Sequence, residues 1–308
     1  MENVFGTGQW QWIQLNENEQ GRISDEQIIA WLDDVRKNKT NYLRVNCFAD
    51  EEPVVNGSLI YKQNISDEQD YKIIHFYLTE KLLVTVNLDW SELKQITPDR
   101  FVRQIRATKN AVEGFLLFLG EVINELLVGI DKFEEELKTL VWSVRKRNET
   151  GILEKVYHRR HELLVCKNLL IPINEVKMAI DEMGYQGIRG SKIFQTISKR
   201  TERIMVLLNE YEHQLDSMIN LEEVISSHRG NEIMKTLTVM TTIFTPIMAF
   251  GALWGMNFKH MPELDWRYGY SLSIIIILIS TILLYVYLKM KGWTGDLLKG
   301  KKRGSFFK

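Results

Sequence analysis

The sequence has little of what marks enzymes, secreted domains or nucleic-acid binders. Its two cysteines, Cys47 and Cys166, lie far apart and at neither metal-ligand nor disulfide spacing. That excludes a disulfide scaffold and suits a reducing compartment. It also lacks an excess of either charge: the formal net charge over 308 residues is −1, which leaves no basic footprint for a nucleic-acid partner. No Walker A sequence, Gly-rich nucleotide loop or nucleophile elbow is present. His158, His161, His213 and His228 are scattered; the first two share a helix face at i, i+3, but no third metal ligand is near. Without an acid/base or nucleophile constellation the chain is not read as an enzyme, and no cofactor is expected. The opening MENVFGTGQW lacks the basic-then-apolar pattern of a signal peptide.

Two long runs without charge are present instead. One begins near Thr236 and reads TLTVMTTIFTPIMAFGALWG; the other, YSLSIIIILISTILLYVYL, covers 270–288. At about 1.5 Å of rise per residue, about twenty residues span a hydrocarbon core of ~30 Å. Only twelve residues, 258–269, separate the runs, so the chain is read as a helical hairpin crossing a membrane twice. The tail carries Lys289, Lys291, Lys299, Lys301, Lys302, Arg303 and Lys308 against a single acid, Asp296, whereas the short loop balances Lys259 and Arg267 against Glu263 and Asp265. The positive-inside rule then puts both termini in the cytoplasm of a cell-membrane protein and the loop outside.

The large remainder divides by pattern. Residues 1–95 alternate in strand fashion at 9–15, 42–48, 58–62, 72–78 and 81–86, with a helix opening at Ser24-Asp25-Glu26-Gln27 and turns at 50–53 and Asn56-Gly57. This reads as a small cytosolic α/β domain. Residues 96–190 form a helical hairpin: one helix from Asp99 to about Arg145, a break at Asn148-Glu149-Thr150-Gly151, and a second helix to Met183 with a kink at Pro172. Glu134, Glu135 and Glu136 are read as a solvated face. Gly184, Gly187 and Gly190 mark a loop. A stalk helix over 191–235 then continues, across Gly230, into the first span at 236–255. That makes one helix of roughly 95 Å, which needs neighbours of its own.

In the first span Asn231, Met234, Thr238, Thr241, Thr245, Met248, Ala252 and Gly255 recur by threes and fours along one stripe. Such a stripe faces water or a neighbouring helix, since hydroxyls commonly bond across membrane helices. At its end stands Trp254-Gly255-Met256-Asn257, which passes from the span into the outer loop 256–269; that loop leads to the second span, 270–288, and the basic tail, 289–308.

Asn231, Met234, Leu237 and Thr238, then Phe244-Thr245-Pro246, Gly255-Met256-Asn257-Phe258, Met261-Pro262-Glu263-Leu264 and Tyr268-Gly269-Tyr270 follow in order. Together they resemble the CorA family of divalent-cation channels, densely so over 231–280. The resemblance implies an α+β membrane protein, a homopentameric funnel embedded in lipid. Its stalk helices line the axis, and it carries magnesium down the electrochemical gradient. Cobalt, nickel or zinc are alternative cargoes, and a membrane-anchored coiled-coil scaffold is the reading from another class. The implied selectivity filter is Gly255, Met256 and Asn257, with carbonyls of Gly255 and carboxamides of Asn257 as oxygen donors to the ion's waters. Glu263 would concentrate cations at the outer entrance, and Trp266, Tyr268 and Tyr270 would sit in an aromatic belt. Met234, Leu237 and Met248 would form a hydrophobic gate. Family members close when magnesium fills acidic cytosolic sites. A gap-free count puts Thr196 at the stalk acid and Ser198-Lys199-Arg200 over a common Tyr-Asp-His, so the feedback is expected to be weak or moved to Asp181 or Glu182.

Overall fold

Period-two alternation builds the first layer. In the computed structural model the described residues are 2–5, 10–16, 25–35, 38–47, 52–95, 98–146, 150–185, 187–259 and 261–293. Strands β1 (Glu2–Phe5), β2 (Trp10–Leu15), β3 (Tyr42–Asn46), β4 (Val54–Gln63), β5 (Tyr71–Leu78) and β6 (Leu82–Val86) form one sheet in the order β1-β2-β6-β5-β4-β3. Only β2 and β6 run parallel; every other pair is antiparallel. The sheet buries both faces, because β5 and β6 end in consecutive buried residues rather than in strict alternation. Leu15, Tyr77, Val84 and Val86 pack with Ile28, Trp31, Leu32 and Val35 of α1 (Glu26–Val35) on one side.

The opposite face meets helices. Phe76, next to Tyr77, turns away from α1, and its ring lies 4.6 Å from that of Phe115. Trp12 donates its indole N–H to Thr85 Oγ1 at 2.9 Å and sits 5.7 Å from Trp90. Phe115 and Phe118 are fully buried, and each such side chain contributes about 1.5–3 kcal/mol of burial. They belong to α3 (Ala111–Lys146), which pairs with α4 (Thr150–Glu182) as the expected helical hairpin. A Cβ at Gly114 would come within 2.4 Å of the Trp10 ring, so α3 reaches the sheet only because that position has no side chain.

Four details differ from the sequence reading. Asn56-Gly57 is not a turn but lies inside β4, where a Cβ on Gly57 would stand 2.4 Å from the Tyr42 carbonyl oxygen. The long helix expected from Asp99 is two, α2 (Pro98–Arg106) and α3. Asn110 Oδ1 accepts the Glu113 N–H at 2.9 Å and Glu113 Oε2 accepts the Lys109 N–H at 2.9 Å, a capping box that starts a new helix. The first turn of α1 is capped by Asp25, whose Oδ1 accepts the Gln27 N–H at 2.9 Å; Ser24, read as the cap, lies outside the described residues. Of the three glutamates read as solvated, Glu136 is half-buried and pairs with Arg159, while Glu135 is exposed and Glu134 stays exposed as it accepts from Tyr211.

The third long helix, α5 (Lys192–Trp254), is continuous for 63 residues through Gly230 and Pro246. Before it, Gly184 (φ 66°) and Gly187 (φ 81°) take the left-handed turn conformation that glycine permits. Two compact units divide the chain, 1–218 and 219–308. In the first, α5 buries Ile197, Thr201, Ile204, Leu208, Tyr211 and Leu215, a period of three and four. Lys167 to Glu212 at 2.5 Å and Arg160 to Asp216 at 3.1 Å clip α4 to α5. The second unit holds the rest of α5, the short α6 (Pro262–Asp265) and α7 (Gly269–Met290).

Candidate functional site: the exposed stripe of the long helix and its Gly-Met-Asn end

The second unit holds α7 and the C-terminal part of α5, the two helices that carry a membrane-length apolar stretch among the described residues. Their most apolar stretches reach mean hydropathies of 1.6 in α5 and 2.5 in α7, long and apolar enough to cross a membrane, and only 11% and 6% of those stretches are buried. Apolar surface of this extent in water would be costly. An exterior of lipid or of further copies removes that cost.

Within this unit α5 has two unlike sides. Val239, Ile243, Pro246, Phe250 and Trp254 are its shaded side chains, and the rings of Phe250 and Trp254 stack at 5.3 Å. At 3.6 residues per turn the opposite side carries Asn231, Met234, Leu237, Thr241, Thr245, Met248, Ala252 and Gly255, all exposed, with Thr238 half-buried beside them. Met234, Leu237 and Met248 stand 60%, 56% and 61% exposed. The residues read from the sequence as one stripe lie opposite the covered face, but exposure does not set them apart, since Ile233, Met240, Phe244, Ile247 and Leu253 between the two faces are 46–67% exposed as well.

The threonines on this stripe have a feature that spacing alone did not give. Thr238 Oγ1 donates to the Met234 carbonyl at 2.8 Å and Thr245 Oγ1 to the Thr241 carbonyl at 2.7 Å. Thr241 shares its proton between the carbonyls of Leu237 and Thr238, both at 3.0 Å. Each hydroxyl proton is thus turned back into the helix, the usual habit of threonine inside a helix.

The helix ends at Trp254. The Gly255 N–H reaches the Gly251 carbonyl at 2.9 Å, and Met256 N–H the Leu253 carbonyl at 3.4 Å. A Cβ on Gly255 would press to 2.9 Å from that same Gly251 oxygen, so the tight exit favours glycine. Asn257 and Phe258 follow outside any helix and are exposed. The carbonyl end of a helix carries about half a negative elementary charge, so Asn257 sits where a cation is favoured. Met261 precedes Pro262, which opens α6 as the first helical residue. Glu263 belongs to α6, but its side chain lies outside the described residues. Trp266, Tyr268 and Tyr270 are all exposed, Tyr270 to 80%. The tail cations from Lys299 onward, and Asp296, lie outside the described residues, as do Asn148 and Glu149.

In the first unit, no group of three or more His, Cys, Asp or Glu side chains assembles as a metal cage among the described residues. Asp181, named as a relocated cation ligand, is held by Arg189 at 2.5 and 3.1 Å, and the pairing holds the guanidinium above its usual pKa. An acid so occupied is a poor vacant ligand. Thr196 returns its hydroxyl to the Lys192 carbonyl at 2.7 Å. His158 pairs with Glu162 at 3.6 Å, while His161 Nε2 meets the Ile65 carbonyl at 3.1 Å. The two histidines thus have separate partners and form no ligand pair.

The sequence matches the family model described as "CorA-like Mg2+ transporter protein" over residues 8–290. A magnesium transport protein CorA from Bacillus subtilis is 41% identical over 301 residues, covering 96% of this chain and 94% of its own. A cobalt/magnesium transport protein CorA from Thermotoga maritima is 24% identical over 196 residues, covering 63% and 56%. Among solved structures, the complete CorA magnesium transporter of Methanocaldococcus jannaschii superposes with a TM-score of 0.58 at 20% identity, covering 92% of both chains. The full-length CmaX protein gives 0.59 at 14% identity, over 91% and 88%. These two share the fold.

Proposed function

Since the chain belongs to the CorA family of divalent-cation transporters, we propose that it forms a homopentameric magnesium channel whose pore is lined by the exposed stripe of α5 and closed outwardly by a ring of Asn257. The observation that carries this reading is the opposition of the two sides of α5. The stripe ending on Gly255-Met256-Asn257 lies opposite the narrow face its own chain covers, within a broader exposed surface that also carries Ile233, Met240, Phe244 and Ile247; five copies about an axis would cover the stripe with one another and leave those larger apolar side chains to lipid.

The chemistry follows from the ion. Magnesium gives up its waters reluctantly and prefers octahedral oxygen. A tight carboxylate cage would hold it too firmly for conduction, which needs sites weak enough to leave. Carboxamide oxygens of Asn257 accept hydrogen bonds from the ion's waters without stripping them, and the helix C-terminus adds a favourable field. Met234, Leu237 and Met248 supply a constriction that closes by dewetting. Inward passage of a divalent ion releases ~4.6 kcal/mol per 100 mV, twice the single-charge value, so no ATP site is required. The termini and the first unit lie in the cytoplasm in this arrangement, with 256–269 outside. Cobalt has a specific claim as second cargo, since the Thermotoga relative is named for both ions.

Cytosolic feedback by magnesium is read as weak, because Thr196 replaces the stalk acid and Asp181 is already paired with Arg189. The defining experiment is uptake into proteoliposomes with magnesium, cobalt and zinc in competition. Saturable magnesium flux lost in Asn257→Ala supports the channel. A protein impermeable to every divalent metal, or full flux in the variant, would sink it, and sharp closure near a millimolar of internal magnesium would sink the weak-feedback reading.

A further inference from the structure

Three methionines on the second half of α5 are exposed to nearly the same degree: Met234 to 60%, Met240 to 59% and Met248 to 61%. Around the helix they are not equivalent. Each residue of an α-helix advances by about 100°. From Met234 to Met248 the chain therefore returns to within about 40° of the same side, and Leu237 lies within about 60° of it. Met240 points about 120° away from Met234 by the same count, in the company of the exposed Ile233 and Ile247. One helix thus carries the same reactive side chain on the stripe and off it.

A constriction that closes by dewetting needs an apolar wall. Leu237 can only be apolar, since its hydrocarbon side chain has no reactive atom. The thioethers of Met234 and Met248 can change. A sulfur lone pair attacks one oxygen of hydrogen peroxide, the O–O bond breaks and an S–O bond forms. The sulfur is oxidised by two electrons, and the second peroxide oxygen leaves as water after taking up the proton of the transferred hydroxyl. The product is a methionine sulfoxide, polar where the thioether was apolar. Its oxygen accepts hydrogen bonds. The nearby hydroxyls of Thr238, Thr241 and Thr245 already donate to carbonyls of α5, so the donors left to a sulfoxide on this stripe are those of water.

We propose that Met234 and Met248 are oxidation sites that control the gate: peroxide entering the open pore turns their thioethers into sulfoxides, and the constriction then stays wet and conducting. The role rests on the channel reading above, in which Met240 faces lipid and serves as the built-in control. In proteoliposomes of the full chain, magnesium flux is measured before and after hydrogen peroxide, and peptide mass spectrometry maps the oxidised positions. Peroxide raises the resting flux about threefold or more, as a dewetted constriction fills. Met234 and Met248 oxidise ahead of Met240, and methionine sulfoxide reductases reverse the rise. The double variant Met234→Leu, Met248→Leu keeps the wall apolar and of similar volume, and its ratio of treated to untreated flux stays at one. Met240→Leu keeps the full response. An unchanged ratio in the conducting parent protein, an undiminished rise in the double variant, or oxidation of Met240 ahead of the other two overturns the proposal and leaves the channel reading standing. Absence of divalent flux both before and after treatment fails the channel reading, and the oxidation gate with it.

Discussion

The two halves of α5 are one helix with opposite economies of surface. The first half is amphipathic and modestly apolar, yet it buries Ile204 and Leu215 completely and leaves Leu208 1% exposed. The second is the more apolar, yet leaves Met234, Leu237 and Met248 more than half exposed. In a water-soluble domain the order would be reversed, since burial scales with apolar area. The first half finds its cover within its own chain, whereas the second is left uncovered by it; in the proposed channel, lipid and other copies supply that cover. Helical period says which residues share a side. It is the contrast in cover that says what each side is for.

The sharpest way to break the comparison is at the end of the exposed half. Asn257→Ala removes an exposed amide that makes no hydrogen bond among the described residues, so divalent uptake should fall at least about tenfold, equivalent to ~1.4 kcal/mol in the barrier, with an unchanged melting temperature. A fall in both would make the residue structural.

Next comes a matched pair of truncations. Leu208→Ala in the covered half should cost about 2–5 kcal/mol of stability, read from urea unfolding of the detergent-solubilised protein. Met248→Ala in the open half should cost under about 1 kcal/mol in the same assay, and alter flux instead. Equal costs would show that the chain itself covers both halves.

A smaller effect tests how tightly the first unit is fitted. Gly114→Ala drives a methyl into Trp10 and should destabilise by about 1–3 kcal/mol, the range for overpacking. The same substitution at Gly251, where a Cβ meets nothing within 4 Å, should be neutral or mildly stabilising by propensity. Differential scanning calorimetry on the two variants separates them.

The smallest effect is on Tyr211. Burial, assisted by the hydrogen bond to Glu134 at 2.9 Å, pushes its hydroxyl pKa up to about 12. A raised pKa in the folded state gives stability that is complete below the unfolded value near 10 and lost as pH climbs through the folded one. Tyr211→Phe should therefore cost about 1 kcal/mol at pH 7 and remove part of the alkaline destabilisation between pH 10 and 12. Parallel unfolding curves for both proteins across that interval would contradict the assignment.

Much of this was legible in the sequence because periodicity and uniform apolarity report on one element at a time. The strands at 72–78 and 81–86, the stripe from Asn231 to Gly255 and the two charge-free helices were all of that kind. What escaped depends on contacts between elements. Asn56-Gly57 carries a turn signature, yet Gly57 serves β4 because the Tyr42 carbonyl passes too close for a Cβ. The capping box at Asn110 and Glu113 was readable but masked by apolar spacing that continues across it. The pairing of Asp181 with Arg189 joins residues on either side of a glycine loop, and no spacing rule predicts such a closure. Asn257 was singled out by its motif. Its physical setting, just beyond the negative end of a helix, needed the helix terminus to be placed.

The back-turned hydroxyls of α5 have one more consequence. A threonine whose only proton is engaged at 2.7 or 2.8 Å by its own helix offers outward nothing but lone pairs. Repeated about an axis, such oxygens would welcome the water coat of a cation, whose hydrogens point away from the ion. Chloride, which orients those hydrogens inward, would find no donor to replace them. Rejection of anions would then be written into the wall by the direction of a few O–H bonds, without a single formal charge.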